Sequence, residues 1–274
     1  MTIWQAFILG IVQGITEFLP ISSSGHLVIT PYLLGWEISE AYVFTFNVLV
    51  QMGTLIAVII YFWKYLWKII ISVVKGLLEK KPFGSQDAKL GWLVVLATIP
   101  AIFGGLFLEE QVEAAFHSVR ITAVFLLVTA LLLWVSERLS KQMNKMENLS
   151  TMDAFIIGCF QLLAIFPGLS RSGSTIAGGI LRKLKREEAA KFSFLMSIPV
   201  MLGAGVMSIN DLLEVPNLTE FLPVLLIGFI TSGGVGFISI HWLLKFLNKN
   251  KLWFFSVYCV VISIVTLAVT FIRG

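Results

Sequence analysis

A chain of 274 residues that is 57% hydrophobic and 13% charged, with a mean hydropathy of +0.90, is not a soluble domain with a polar rind. A soluble domain carries about twice that charged fraction, so the composition points to a polytopic integral membrane protein. The formal charge of +4 says less than the placement of the Lys and Arg residues, and the two cysteines offer no disulfide or metal framework.

In chain order, the N-terminal "MTIWQAFILGIVQGITEFLPISSSG" lacks a basic leader and carries Glu17 and Pro20 in its middle. It reads as part of the mature fold rather than a secretory signal. The apolar stretch 3–36 is interrupted at Pro20 and "SSSG", and 152–181 at Pro167, Gly168 and "SRSG". Hydrocarbon cannot satisfy the backbone groups that such breaks free, so each break must be buried in protein or line a wet cavity. Each stretch is predicted to be a re-entrant helical hairpin. Uninterrupted apolar runs predict six full spans at 43–67, 91–109, 120–138, 191–209, 221–247 and 252–272.

The loop charges set an orientation. Lys and Arg gather in 64–91, 138–149, 182–191 and 245–251, whereas 109–118 and 210–220 are acidic. Basic loops stay in the cytoplasm, so the first group is placed inside and the second outside. That assignment threads only if 3–36 enters and leaves on the outer side and 152–181 on the inner side, with both termini outside.

Displaced by 148 residues, the sequence matches itself: Gly10, Gln13, Phe18, Ser22, Ser24 and Gly25 meet Gly158, Gln161, Phe166, Ser170, Ser172 and Gly173. Shared polar positions argue against chance likeness between two apolar helices. Copies entering from opposite faces make an inverted-topology repeat. The fold expected is an all-α polytopic membrane protein forming a single domain over 1–274, with repeats at about 1–138 and 152–274.

Two meeting hairpins bring Glu17, Ser22, Ser23, Ser24 and His26 towards Ser170, Arg171, Ser172, Ser174 and Thr175. A charge at mid-membrane costs at least ~2.5–3.5 kcal/mol, so Glu17 and Arg171 need partners or water. A purely structural ion pair explains neither the serine clusters nor the histidine. A phosphate site explains all of them. Helix N-termini at the breaks offer free N–H groups, arginine offers a planar donor fork, and hydroxyls add donors. Glu17 and His26 are expected to converge as an acid–base pair.

"QGITEFLPISSSGH" with "FPGLSRSGST" resembles the two signature regions of the bacterial undecaprenyl-diphosphatase (bacitracin-resistance) family. The resemblance continues through "TFNVLVQMGTLIAV", "IPAIFGGLF" and "FSFLMSIPVMLGA", most of the chain. The family's first motif has Glu or Gln, three residues, then Glu; here it runs from Gln13 to Glu17, leaving one carboxylate. The resemblance implies removal of the terminal phosphate from undecaprenyl diphosphate in the plasma membrane, with the site facing outside, and a link to bacitracin resistance. It implies Glu17, Ser23, His26 and Arg171 as catalytic residues. Gln13, Ser22, Ser24, Ser170, Ser172 and Thr175 are expected around the substrate. A divalent cation, Mg²⁺ or Ca²⁺, is expected to bridge Glu17 and the diphosphate. The partners expected are a polyprenyl diphosphate lipid and the bilayer, with no nucleic acid. Either Ser23 or His26 can be the nucleophile. A lipid flippase or anion transporter, also built from broken helices in inverted repeats, is the rival reading.

Overall fold

In hydrocarbon each segment must satisfy its own backbone hydrogen bonds, and this chain does so with helices. The computed structural model describes residues 1–38, 40–207 and 218–273, and among them it contains twelve α-helices and no named strand. They are α1 (Ile3–Thr16), α2 (Ser23–Leu34), α3 (Glu40–Tyr61), α4 (Trp63–Leu78), α5 (Gln86–Phe107), α6 (Glu109–Phe116), α7 (Val119–Leu139), α8 (Thr151–Leu163), α9 (Arg171–Leu181), α10 (Arg186–Met207), α11 (Leu218–Leu247) and α12 (Trp253–Ile272). The protein is an all-α polytopic membrane protein. Helices α5, α7, α10, α11 and α12 are each long and apolar enough to span a bilayer, and α3 with α4 forms a sixth candidate as a bent pair. Of the acidic segment 210–220, only the residues from 218 onward are described, and Gly274 lies outside the described residues.

One expected span needs correction. The run 43–67 is not one helix: α3 ends at Tyr61, and Trp63 starts α4 at 78° to it. Much of what reads as a cytoplasmic loop, 64–91, is therefore helix. Lys64, Lys68 and Lys75 fall on one side of α4 and Ile69 and Gly76 on its buried side, a pattern that fits a helix lying along the protein better than one crossing hydrocarbon.

Both interrupted stretches are helical hairpins. The helix bounds repeat at the same spacing as the sequence match, with α1 followed by α2 and α8 followed by α9. The caps repeat as well. Thr2 and Ser150 each form a capping box, and Ser22 and Ser170 each accept a bond from the backbone N–H three residues on. The breaks touch in the interior. Ser172 Oγ donates to the Leu19 carbonyl at 2.9 Å, and a Cβ added at Gly25 would lie 3.1 Å from the Gly168 Cα. Gly168 has φ +92, a left-handed conformation, and a Cβ there would sit 2.2 Å from the Thr122 carbonyl oxygen, so only glycine fits.

The outer ends of the hairpins point away from each other. Arg182 pairs with Asp153 at 2.6 Å, so hairpin two begins and ends together. Its exit also meets the preceding basic segment, where the Met143 and Asn144 N–H groups donate to the Lys183 carbonyl at 2.9 Å. The start of α12 joins this end, because the Leu252 N–H donates to Glu137 at 3.2 Å. The far end of α2 instead meets the far end of α12, where Arg273 donates to the carbonyls of Tyr32 and Leu33.

Close packing between the long helices uses small residues, since lipid supplies no hydrophobic drive for helix association. A Cβ added at Gly53 would come within 2.3 Å of the Phe229 carbonyl oxygen, and one at Gly158 within 2.5 Å of the Ala97 oxygen. Hydroxyls stitch the first of these contacts and the pairing of α12 with α7. Ser232 donates to the Val50 carbonyl, Ser256 to Ala130 and Ser263 to Ala123, at 2.6–2.7 Å. The apolar core runs beneath the first break, where Phe18 is fully buried edge-on to Phe194 with ring centroids 5.2 Å apart.

Candidate active site

The two breaks deliver two helix N-termini to one place. Ser23 begins α2 and Arg171 begins α9, and these positions are equivalent at the repeat spacing. The first amides of a helix have no partner within it, and its dipole end is positive, so the pair forms a site suited to an anion. Ser22, just before the first of them, has φ 71 and ψ 100, a strained backbone for a residue with a Cβ. That turn reverses the chain between the end of α1 and the start of α2, which brings Ser23 back beside Glu17.

Glu17, only 4% exposed, is the hub. One of its oxygens accepts from Arg171 Nη2 at 2.5 Å; the other accepts from Gln13 Nε2 at 2.9 Å and Ser23 Oγ at 2.6 Å. Gln13 is held in turn by Thr54 Oγ1 at 3.4 Å, from α3. Arg171 also touches Met201 Sδ at 3.8 Å. Its other terminal nitrogen, Nη1, is buried with no hydrogen-bond partner among the described residues. Leaving such a donor buried and unpaired is costly. Ser23, Ser24 and Arg171 are partly exposed, so the cluster is open on one side.

His26 does not join this cluster. Its Nδ1 lies 2.7 Å from the Ser22 carbonyl, which can only accept, so Nδ1 carries the proton. In the neutral ring Nε2 is then the acceptor, and it takes the Tyr258 hydroxyl at 2.9 Å, with the two rings stacked. The expected Glu17–His26 pair is thus replaced by Glu17–Ser23 and His26–Tyr258. A residue at the first position of α2 can reach back across the turn, whereas one a turn further along meets α12. His26 and Tyr258 border an apolar cavity of about 560 Å³ that also takes in Ile29, Leu33, Phe246 and Phe255. Neither Glu17, Ser23 nor Arg171 lines it.

Most of the other expected site hydroxyls are used within the protein. Ser170 Oγ accepts from the Gly173 N–H at 3.0 Å, Ser172 holds Leu19, and Thr175 donates to the Arg171 carbonyl at 2.7 Å while meeting Ser193 at 2.6 Å. They brace the start of α9 and so aim Arg171. Ser22 and Ser24 pair with each other at 3.3 Å. The Ser174 hydroxyl is buried without a partner among the described residues. Sequence reading missed Thr129, which donates to the Gly168 carbonyl at 2.8 Å and accepts from the Ser170 N–H at 3.0 Å, pinning the second break from both sides. It missed Tyr258 as well. The only signal for either is a hydrogen-bonding side chain inside an apolar span.

The family model for "Bacitracin resistance protein BacA" matches residues 6–265. The chain belongs to the BacA family. It is 42% identical to the undecaprenyl-diphosphatase of Chloroherpeton thalassium, over 98% of this chain and 96% of that one. The relative from Moorella thermoacetica, with the same name, is 39% identical over 100% of both chains. That from Methanosphaera stadtmanae is 41% identical over 97% of this chain and 98% of its own. The match to the BacA family takes in both breaks, every residue of the Glu17 cluster, and Tyr258.

Proposed function

We infer that this chain is an undecaprenyl-diphosphatase. It hydrolyses undecaprenyl diphosphate to the monophosphate and phosphate, recycling the lipid carrier for peptidoglycan synthesis and conferring bacitracin resistance. The observation that carries the chemistry is Ser23 Oγ bonded to Glu17 at 2.6 Å beside an Arg171 with one buried nitrogen to spare. Arg171 Nη1 and the first amides of α2 and α9 receive the terminal phosphate oxygens. Ser23 gives its proton to Glu17 as its oxygen bonds to the terminal phosphorus, and the anhydride bond breaks to release undecaprenyl phosphate. As water attacks the phosphoserine, Glu17 returns that proton to the departing Ser23 oxygen and takes one from the water, which it gives up to solvent as phosphate leaves. Phosphoryl transfer needs positioning and charge stabilisation above all, and this cluster supplies both.

Transport of the carrier alone has no use for a hydroxyl held on a carboxylate, and the relatives carry the diphosphatase name. Release of phosphate from a C55 prenyl diphosphate by the purified protein tests the reading. No release under any condition that keeps the protein folded would overturn it.

A divalent cation, Mg²⁺ or Ca²⁺, belongs to the same proposal. Among the described residues no three His, Cys, Asp or Glu side chains gather as a metal group. The donors in the cluster are nonetheless hard oxygens, from the Glu17 carboxylate, the Gln13 amide and the Ser23 hydroxyl. They fit an ion that takes its other ligands from substrate phosphates and water. When bound, it supplies positive charge to the diphosphate oxygens.

We place the protein in the plasma membrane as one domain of two inverted repeats, with the Glu17 cluster reached from outside. The basic segments that meet around Lys183 and Leu252, and the opposite ends from which the hairpins enter, support this orientation. In a cysteine-free background, an impermeant thiol reagent on intact cells is expected to label Ala114→Cys and spare Ser85→Cys. The reverse pattern would invert the whole arrangement.

A further inference from the structure

The helix α4 has a three-sided surface that the hydrolytic site does not use. On a helical projection its residues separate into three sectors. One sector faces the protein, with Ile69 and Gly76 buried; Ile69 and Val73 pack against Gly91 of α5. The second is apolar and open: Trp63, Trp67, Ile70, Val74 and Leu77 are each 50–56% exposed. The third is a stripe of Lys64, Lys68 and Lys75, all exposed. Among the described residues only part of that charge is balanced, by Asp87 on Lys68 at 3.0 Å and by Glu79 on Lys75 at 3.7 Å, the latter between two exposed groups. Lys80 and Lys81 follow directly and are exposed too. At the bend itself, residues Ile60 to Tyr65 line a cavity of about 470 Å³, with Lys64 on its wall.

The bend gives these sectors a direction. Held at 78° to α3, α4 runs along the end of the bundle rather than through it. It lies near the basic end, because Tyr61 at the bend bonds to His241 of α11 at 3.2 Å, a few residues before Lys245. An apolar face with a flanking lysine stripe on a helix in this position matches a bilayer surface, with chains against one sector and headgroups against the other.

We propose that α4 is an interfacial lipid-binding helix selective for anionic phospholipid. The bend cavity and Lys64 hold a headgroup phosphate while Trp63 and Trp67 lie along its acyl chains. The positive stripe is what argues for an anionic lipid over a zwitterionic one or a second copy of the chain. The proposal does not depend on the phosphatase reading.

The test uses the full chain in nanodiscs of mixed phosphatidylglycerol and phosphatidylcholine, with one lipid brominated at a time. The signal of Trp63 and Trp67 is taken as the difference between the parent protein and W63F/W67F. Brominated phosphatidylglycerol is expected to quench that signal at least threefold more than brominated phosphatidylcholine at equal mole fraction. In K64Q/K75Q, which keeps the Lys68–Asp87 pair, the preference is expected to fall to parity while phosphate release persists. Equal quenching by both lipids in the parent protein would overturn the proposal. Quenching by neither would also overturn it, by showing α4 covered by something other than lipid. A preference unchanged in K64Q/K75Q would remove the lysine stripe as its cause.

Discussion

Lysine in place of Arg171 lowers phosphate release by about 10²–10³-fold while the protein stays folded. The guanidinium is assigned two tasks: Nη2 satisfies Glu17 at 2.5 Å, and Nη1, buried with no partner among the described residues, is the nitrogen proposed for the phosphate. A lysine ammonium is a single point of charge, so it can keep the pair with Glu17 or reach the phosphate, but it does not present a fork to both. Keeping the pair is what preserves the fold. Arg171→Met removes it, strands Glu17 as a buried lone charge, and is expected to cost about 3–5 kcal/mol of stability. Phosphate release and thermal unfolding measured on both variants separate the two effects. Near-normal turnover in the lysine variant would remove Arg171 from the reaction centre.

Ser23→Ala abolishes turnover, whereas His26→Gln retains a measurable fraction. The structure supplies the reason for the asymmetry. Ser23 is the hydroxyl that touches a carboxylate, and both His26 nitrogens are occupied elsewhere, by the Ser22 carbonyl and Tyr258. Glu17→Gln, which keeps the shape and loses the base, is expected to lower the rate by about 10²–10⁴-fold. The rival is attack by His26 itself, for which the ring would have to leave Tyr258. Rapid quenching with labelled diphosphate distinguishes them. Label on the enzyme that is stable to acid supports Ser23. Label that is stable to base and lost in acid marks a phosphohistidine and overturns the serine assignment.

The hairpins were legible because their signals are local. Pro20 with "SSSG", and Pro167 with "SRSG", break a helix wherever they stand, and Ser22 and Ser170 cap the next helix in each case. The Glu17–Arg171 meeting was legible because a membrane interior leaves two lone charges little choice but each other. The side of α2 that His26 faces was not legible. It depends on the reversal at Ser22 and on Tyr258, 232 residues away, and spacing along the chain carries neither. The helix α4 was hidden by its own composition, because its apolar sector extends the hydropathy of α3 past Phe62, where the chain turns. Thr175, Ser170 and Ser172 read as phosphate donors because a hydroxyl looks the same whether it meets a ligand or a carbonyl.

The ion pair at the centre joins residues 154 positions apart in the chain. At a synthesis rate of about 5–20 residues per second, Glu17 leaves the ribosome roughly 8–30 s before Arg171 does. For that interval the first hairpin holds a carboxylate with no cation to meet it. Burying it in hydrocarbon then is costly unless it keeps water beside it. The first hairpin therefore waits on the second for its counter-charge, which Arg171 brings. A nascent chain stalled before Arg171 already carries Ser23 and Glu17 but lacks the guanidinium proposed to hold the phosphate. Products that end before Arg171 are thus expected to be inert towards the lipid carrier.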